Sequence, residues 1–77
     1  MDKIVSILSE IRPEFDFTAS DNFINDGLLD SFDMITLVTE LDKTFSISID
    51  GVDIIPENFR NIKTIADLLA KKGVTVS

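Results

Sequence analysis

The tightest limit on the fold comes from an amphipathic run between Asp30 and Phe45. At roughly 100° per residue, Met34, Ile35, Leu37, Val38, Leu41 and Phe45 fall on one broad face, and Thr36, Thr39, Glu40 and Lys43 on the other. Such a helix is stable only when its apolar side is covered. The rest of a 77-residue chain must supply that cover. The start of the run is well marked. Gly27 makes a turn, two leucines follow, and Asp30 is a good N-cap with Asp33 three residues on to complete a capping box. Ser31 therefore lies in the first turn, where free backbone N–H groups and the positive end of the helix dipole favour an anion. A phosphate on that hydroxyl would sit in a favourable field.

Two shorter patterns supply the cover. Ile4, Ile7, Leu8 and Ile11 have the spacing of a one-faced helix over about 2–12, with Asp2 and Arg12 suiting its dipole and Pro13 ending it. Ile65, Leu68 and Leu69 share one side of a closing helix over about 64–72, which ends in Lys71 and Lys72 and stops at Gly73. Pro56 is placed to open a short helix over about 56–60. Between the first two helices runs a long connection carrying Phe15, Phe17, Phe23, Ile24, Leu28 and Leu29, apolar enough to lie across the helices and seal the core. Ser46-Ile47-Ser48-Ile49 alternates like a strand but has no pairing partner, so it is read as an extended segment with Ile47 and Ile49 turned inward. The predicted fold is all-α: a single domain over 1–77, a four-helix bundle of three main helices and one short one, with a long first loop.

The residue alphabet narrows the chemistry. Histidine, cysteine, tryptophan and tyrosine are absent, which removes Ser-His and Cys-His nucleophile systems and the usual zinc and haem ligands. The chain is expected not to be an enzyme. Fourteen acidic against seven basic residues give a net charge of -7, which disfavours nucleic acid and anionic membranes and suits docking onto basic protein surfaces. The first residues lack the apolar core of a signal peptide, and no stretch is long enough for membrane insertion, so a cytoplasmic monomer is expected.

Three features compete as sites. Two glycine turns among acids invite a calcium reading. With Gly27 at the sixth position of a calcium loop, Ile24 falls where an oxygen is needed; with Gly51 there, Ser46, Ser48, Asp50 and Glu57 fit, but the first position lacks its carboxylate. Both are therefore read as ordinary turns with no metal site, leaving only weak ion binding near Asp50 and Glu57 undecided. Phe32 falls on the polar side of the long helix, near Thr36, Thr39 and Lys43. It is either a partner contact or a ring packed beneath the long loop. Ser31 is either a serine that starts a helix or a covalent acceptor modified by another enzyme, since nothing beside it could activate it.

Asp26-Gly27-Leu28-Leu29-Asp30-Ser31-Phe32-Asp33, with the following Ile35-Thr36-Leu37-Val38-Thr39-Glu40-Leu41, resembles the prosthetic-group attachment motif of acyl carrier and peptidyl carrier proteins. The size, acidity, long first loop, short third helix and closing helix are similar as well. The resemblance implies that Ser31 receives 4'-phosphopantetheine from coenzyme A through a phosphopantetheinyl transferase. The arm then carries an acyl or aminoacyl group as a thioester between partner enzymes. It further implies that Asp30 meets the transferase and that Asp30, Phe32, Ile35, Thr36 and Thr39 form the partner-binding surface. An arm thiol would be the only thiol on the molecule. Three departures separate the chain from housekeeping fatty-acid carriers. Phe32 stands where Leu or Met is usual, Thr36 and Lys43 stand at commonly acidic places, and the link after Phe45 is longer. They favour a specialised carrier served by its own acyl- or aminoacyl-activating ligase or synthase. An unmodified acidic docking module of the same fold is the alternative.

Overall fold

The computed structural model describes residues 2–74. Helix α1 spans Asp2–Ile11, α2 spans Ser31–Phe45 and α3 spans Ile62–Lys71. Single 3-10 turns occupy Phe17–Ala19, Gly51–Asp53 and Pro56–Asn58, and there is no strand among the described residues.

Buried side chains from every helix and from the connections form one apolar cluster. Ile4, Ile7 and Leu8 come from α1, Met34, Leu37, Val38 and Leu41 from α2, and Ile65, Leu68 and Leu69 from α3. The long connection fills the space they leave. Phe17 and Phe23 are buried there and meet edge to face at 5.1 Å between ring centroids, an arrangement favoured by the ring quadrupoles. Backbone bonds fix this loop to the far end of the chain. Phe23 N–H donates to the Arg60 carbonyl (2.6 Å), and the Phe23 carbonyl accepts from Leu28 N–H (2.8 Å) and Leu29 N–H (3.2 Å). The Asn61 side-chain amide donates to the Asp21 carbonyl at 3.1 Å. Extended residues after α2 turn Ile49 into the core and leave Ile47 half-buried.

Several sequence expectations are corrected. The short helix expected over about 56–60 is the 3-10 turn Pro56–Asn58, so the described residues hold three α-helices and not four. Pro56 does open it, but Asn58 and Phe59 donate three residues back, to Ile55 and Pro56. Phe59, at φ -123°, has already left the helical region, and Asn61 must begin capping the next helix. That helix starts at Ile62 rather than Thr64, because Asn61 and Thr64 form a reciprocal box: Thr64 N–H donates to Asn61 Oδ1 (2.9 Å) and Asn61 N–H to Thr64 Oγ1 (3.1 Å). It ends at Lys71, with Gly73 at φ 85° beyond it. Helix α1 ends at Ile11, although Arg12 N–H still reaches the Leu8 carbonyl (2.9 Å). Ile35, counted on the apolar face of α2, is 57% exposed. It lies about 60° beyond Val38 on the wheel, outside the arc that the other helices cover.

Candidate functional site

The site is built at the entry to α2. Asn25 N–H donates to the Asn22 side chain (3.0 Å), Gly27 N–H donates to the Ile24 carbonyl (3.2 Å), and Gly27 takes a φ of 76° that a side chain would resist. Leu29 then dips into the core, and Asp30, in extended conformation, caps the helix. Asp33 N–H donates to Asp30 Oδ1 (2.9 Å) and Asp30 N–H to Asp33 Oδ2 (3.3 Å), which closes the capping box. Ser31 is the first helical residue and is exposed. Among the described residues its hydroxyl makes no hydrogen bond. With Asp33 N–H capped, the N–H groups of Ser31 and Phe32 remain the orphan donors of the first turn. They and the helix dipole suit an anion carried on Ser31.

Arg12 reaches this corner from the end of α1. Its Nε and Nη2 both lie 3.0 Å from Asp33 Oδ2, and Nη2 lies 3.8 Å from Asp30 Oδ2. Asp33 is the one buried charged residue among the described residues, 8% exposed overall with its side chain at 12%, and these donors meet the demand of a desolvated carboxylate. The hydrogen bond from Arg12 to Asp33, followed by the charge attraction between them, raises the Arg12 pKa above its ordinary value. Sequence reasoning missed this link and gave Arg12 only a helix-end role. An arginine and an aspartate 21 positions apart leave no local signal.

The other singled-out residues gather on one side of α2. Phe32 is 81% exposed, with Ile35, Thr36 and Thr39 exposed on the same side and Asp30 exposed just before the helix. The packed-ring reading of Phe32 is therefore set aside. The Thr36 and Thr39 hydroxyls donate to the Phe32 and Ile35 carbonyls, both at 3.1 Å. What they offer outward is methyl groups and acceptor lone pairs. At the other acidic turn, Lys72 Nζ lies 3.2 Å from Asp50 and 2.9 Å from Asp53, so a lysine cation already occupies that corner, and Glu57 forms no ion pair among the described residues. Among the described residues no three histidine, cysteine, aspartate or glutamate side chains are grouped to hold a metal. No described helix is long and apolar enough to cross a membrane.

The family described as "Phosphopantetheine attachment site" matches residues 2–69, nearly the whole chain. Neither the curated proteins nor the solved structures compared with the chain give a match. The domain of that family is the site of covalent 4'-phosphopantetheine attachment, and the extent of the match spans α1, α2 and most of α3. By that match the chain belongs to the phosphopantetheine-attachment family of acyl and peptidyl carrier proteins.

Proposed function

We propose that Ser31 is the attachment residue and that the chain is a carrier holding acyl or aminoacyl cargo as a thioester on its arm. The observation that carries this reading is an exposed serine at the first position of α2, behind a closed capping box, with its hydroxyl unengaged among the described residues. A phosphodiester there would have the N–H groups of Ser31 and Phe32 in the first turn to hold it, so the residues present fit the group. In the transfer, Ser31 Oγ bonds to the phosphorus nearest the pantetheine. The pyrophosphate P–O bond of coenzyme A breaks, the nucleotide leaves, and the hydroxyl proton passes to a base on the transferase. The bound arm supplies the thiol that this cysteine-free chain lacks.

The surface of Asp30, Phe32, Ile35, Thr36 and Thr39 is the docking face for the transferase and for an activating ligase or synthase. Its apolar and hydroxyl character supports dedicated partners in a specialised pathway over the strongly acidic face of a housekeeping fatty-acid carrier. The carrier acts as a cytoplasmic monomer and as a substrate of other enzymes, with no catalysis of its own.

The test is intact mass before and after incubation with coenzyme A and a broad-specificity phosphopantetheinyl transferase, with Ser31→Ala alongside. The expected result is a gain of one phosphopantetheine on the parent and none on the variant. A folded parent that gains nothing with several transferases overturns the carrier reading. The exposed Phe32 and Ile35 would then favour an unmodified docking module.

A further inference from the structure

We propose that Arg12 is a positioning residue for the modification of Ser31, holding the turn that presents the serine by gripping Asp33 from the neighbouring helix. The inference rests on the attachment reading given above.

The argument runs through charge and burial. Ser31 is bracketed by Asp30 and Asp33, and the group to be delivered to it is anionic. Two uncompensated carboxylates would oppose its approach at this range. The Arg12 guanidinium lies against both, closely on Asp33 and loosely on Asp30. Asp33 is buried and also holds the Asp30 N–H in the capping box. Without Arg12, its one remaining described hydrogen-bond donor is that N–H at 3.3 Å. A buried carboxylate so poorly satisfied rotates toward water. That rotation releases the Asp30 N–H and loosens the backbone on which Ser31 is mounted. Arg12 need not touch Ser31 or coenzyme A; it acts through Asp33.

The arrangement also explains the choice of arginine. Two N–H groups of one planar fork converge on a single oxygen, Asp33 Oδ2, while the same fork leans toward Asp30. A lysine ammonium keeps the charge but lacks that fixed geometry. The connection between α1 and α2 is long, and the fork ties the two ends of that connection together just where the chain turns into α2.

The test measures transferase kinetics on the parent, Arg12→Gln, Arg12→Lys, Asp33→Asn and the double variant Arg12→Gln/Asp33→Asn. All are assayed at a temperature where far-UV circular dichroism shows each to be fully helical. Misplacement of a reacting group lowers the rate of the chemical step, so Arg12→Gln should lose about tenfold in kcat, with KM for the carrier within about twofold of the parent. Arg12→Lys should recover at least half of that loss. Because both side chains act through one contact, the double variant should be no slower than the slower single variant.

Parental kcat in folded Arg12→Gln overturns the inference, as does a loss confined to KM, which would mark a docking contact instead. Additive losses in the double variant overturn it too. If Arg12→Gln does not fold, the comparison of Arg12→Lys with the double variant, which carries no buried charge, decides by the same criteria. A parent that gains no mass removes the attachment reading and this inference together. A modified parent with an equally well modified Arg12→Gln removes this inference alone.

Discussion

Phe32→Ala separates any folding role of the α2 surface from the docking role proposed for it. The ring is 81% exposed, so folding removes almost none of it from water and its loss takes little from the native state. Alanine is the better helix former by roughly 0.5 kcal/mol. Chemical denaturation should therefore place the variant within about 0.5 kcal/mol of the parent, with any change toward greater stability. The complex with a transferase is a different matter. Fully covering a phenylalanine contributes about 1.5–3 kcal/mol, and every 1.4 kcal/mol is about a factor of ten in affinity. If the transferase covers this ring, KM for the carrier should rise about tenfold to about a hundredfold, with kcat nearly unchanged. Steady-state loading of the parent and Phe32→Ala with coenzyme A, read by intact mass, gives both constants. An unchanged KM refutes the docking assignment. A fall in kcat alone would mean that the ring shapes the neighbouring Ser31 turn, and a loss of more than about 1 kcal/mol in stability would mean that it packs against the body after all.

Two further predictions concern stability. Ser46 closes α2 at φ 55°, a left-handed conformation that costs a side-chain-bearing residue about 1–2 kcal/mol. Ser46→Gly relieves that strain but adds unfolded-chain entropy of about 0.4–1 kcal/mol, so a net gain of about 0.5–1 kcal/mol is expected in urea denaturation, and a lower midpoint would contradict it. Lys72 has its pKa raised by hydrogen bonds to Asp53 and Asp50. A raised folded pKa means that the ion pairs stabilise fully below the ordinary lysine value of 10.5 and lose that contribution as pH climbs through the higher folded value. The difference in urea midpoint between the parent and Lys72→Met should hold steady from pH 7 to 9 and shrink above about pH 11; a difference that grows with alkalinity would reverse the reasoning.

Much of this architecture is legible in the sequence because α1, α2 and the end of α3 carry strong periodicity, and periodicity reports directly on burial. Met34, Leu37, Val38 and Leu41 are read correctly as core for that reason. Ile35 is misjudged because a wheel shows that a residue is apolar but not how wide an arc the neighbours will cover. The turn at Pro56 and the start of α3 are misjudged because Asn61 was not recognised as a cap, and its box with Thr64 takes the residues a fourth helix would have needed. At the candidate site, the Asp30–Asp33 box is local and readable. The hold of Arg12 on Asp33 depends on how two helices dock, and no window of sequence contains it. The attachment role proposed for Ser31 rests on a family resemblance. Position alone favours a serine that merely starts a helix.

The bonds at Phe23 have a mechanical consequence. Its N–H is fastened to Arg60, and its carbonyl is fastened to Leu28 and Leu29. Any load applied to the first turn of α2 therefore passes back through Leu29 to the Phe23 backbone, and across to the approach to α3, before it reaches the bend at Gly27. A tether hung from that turn, as proposed for Ser31, would pull on the body through these bonds. The long loop would then act as the anchor plate of the molecule.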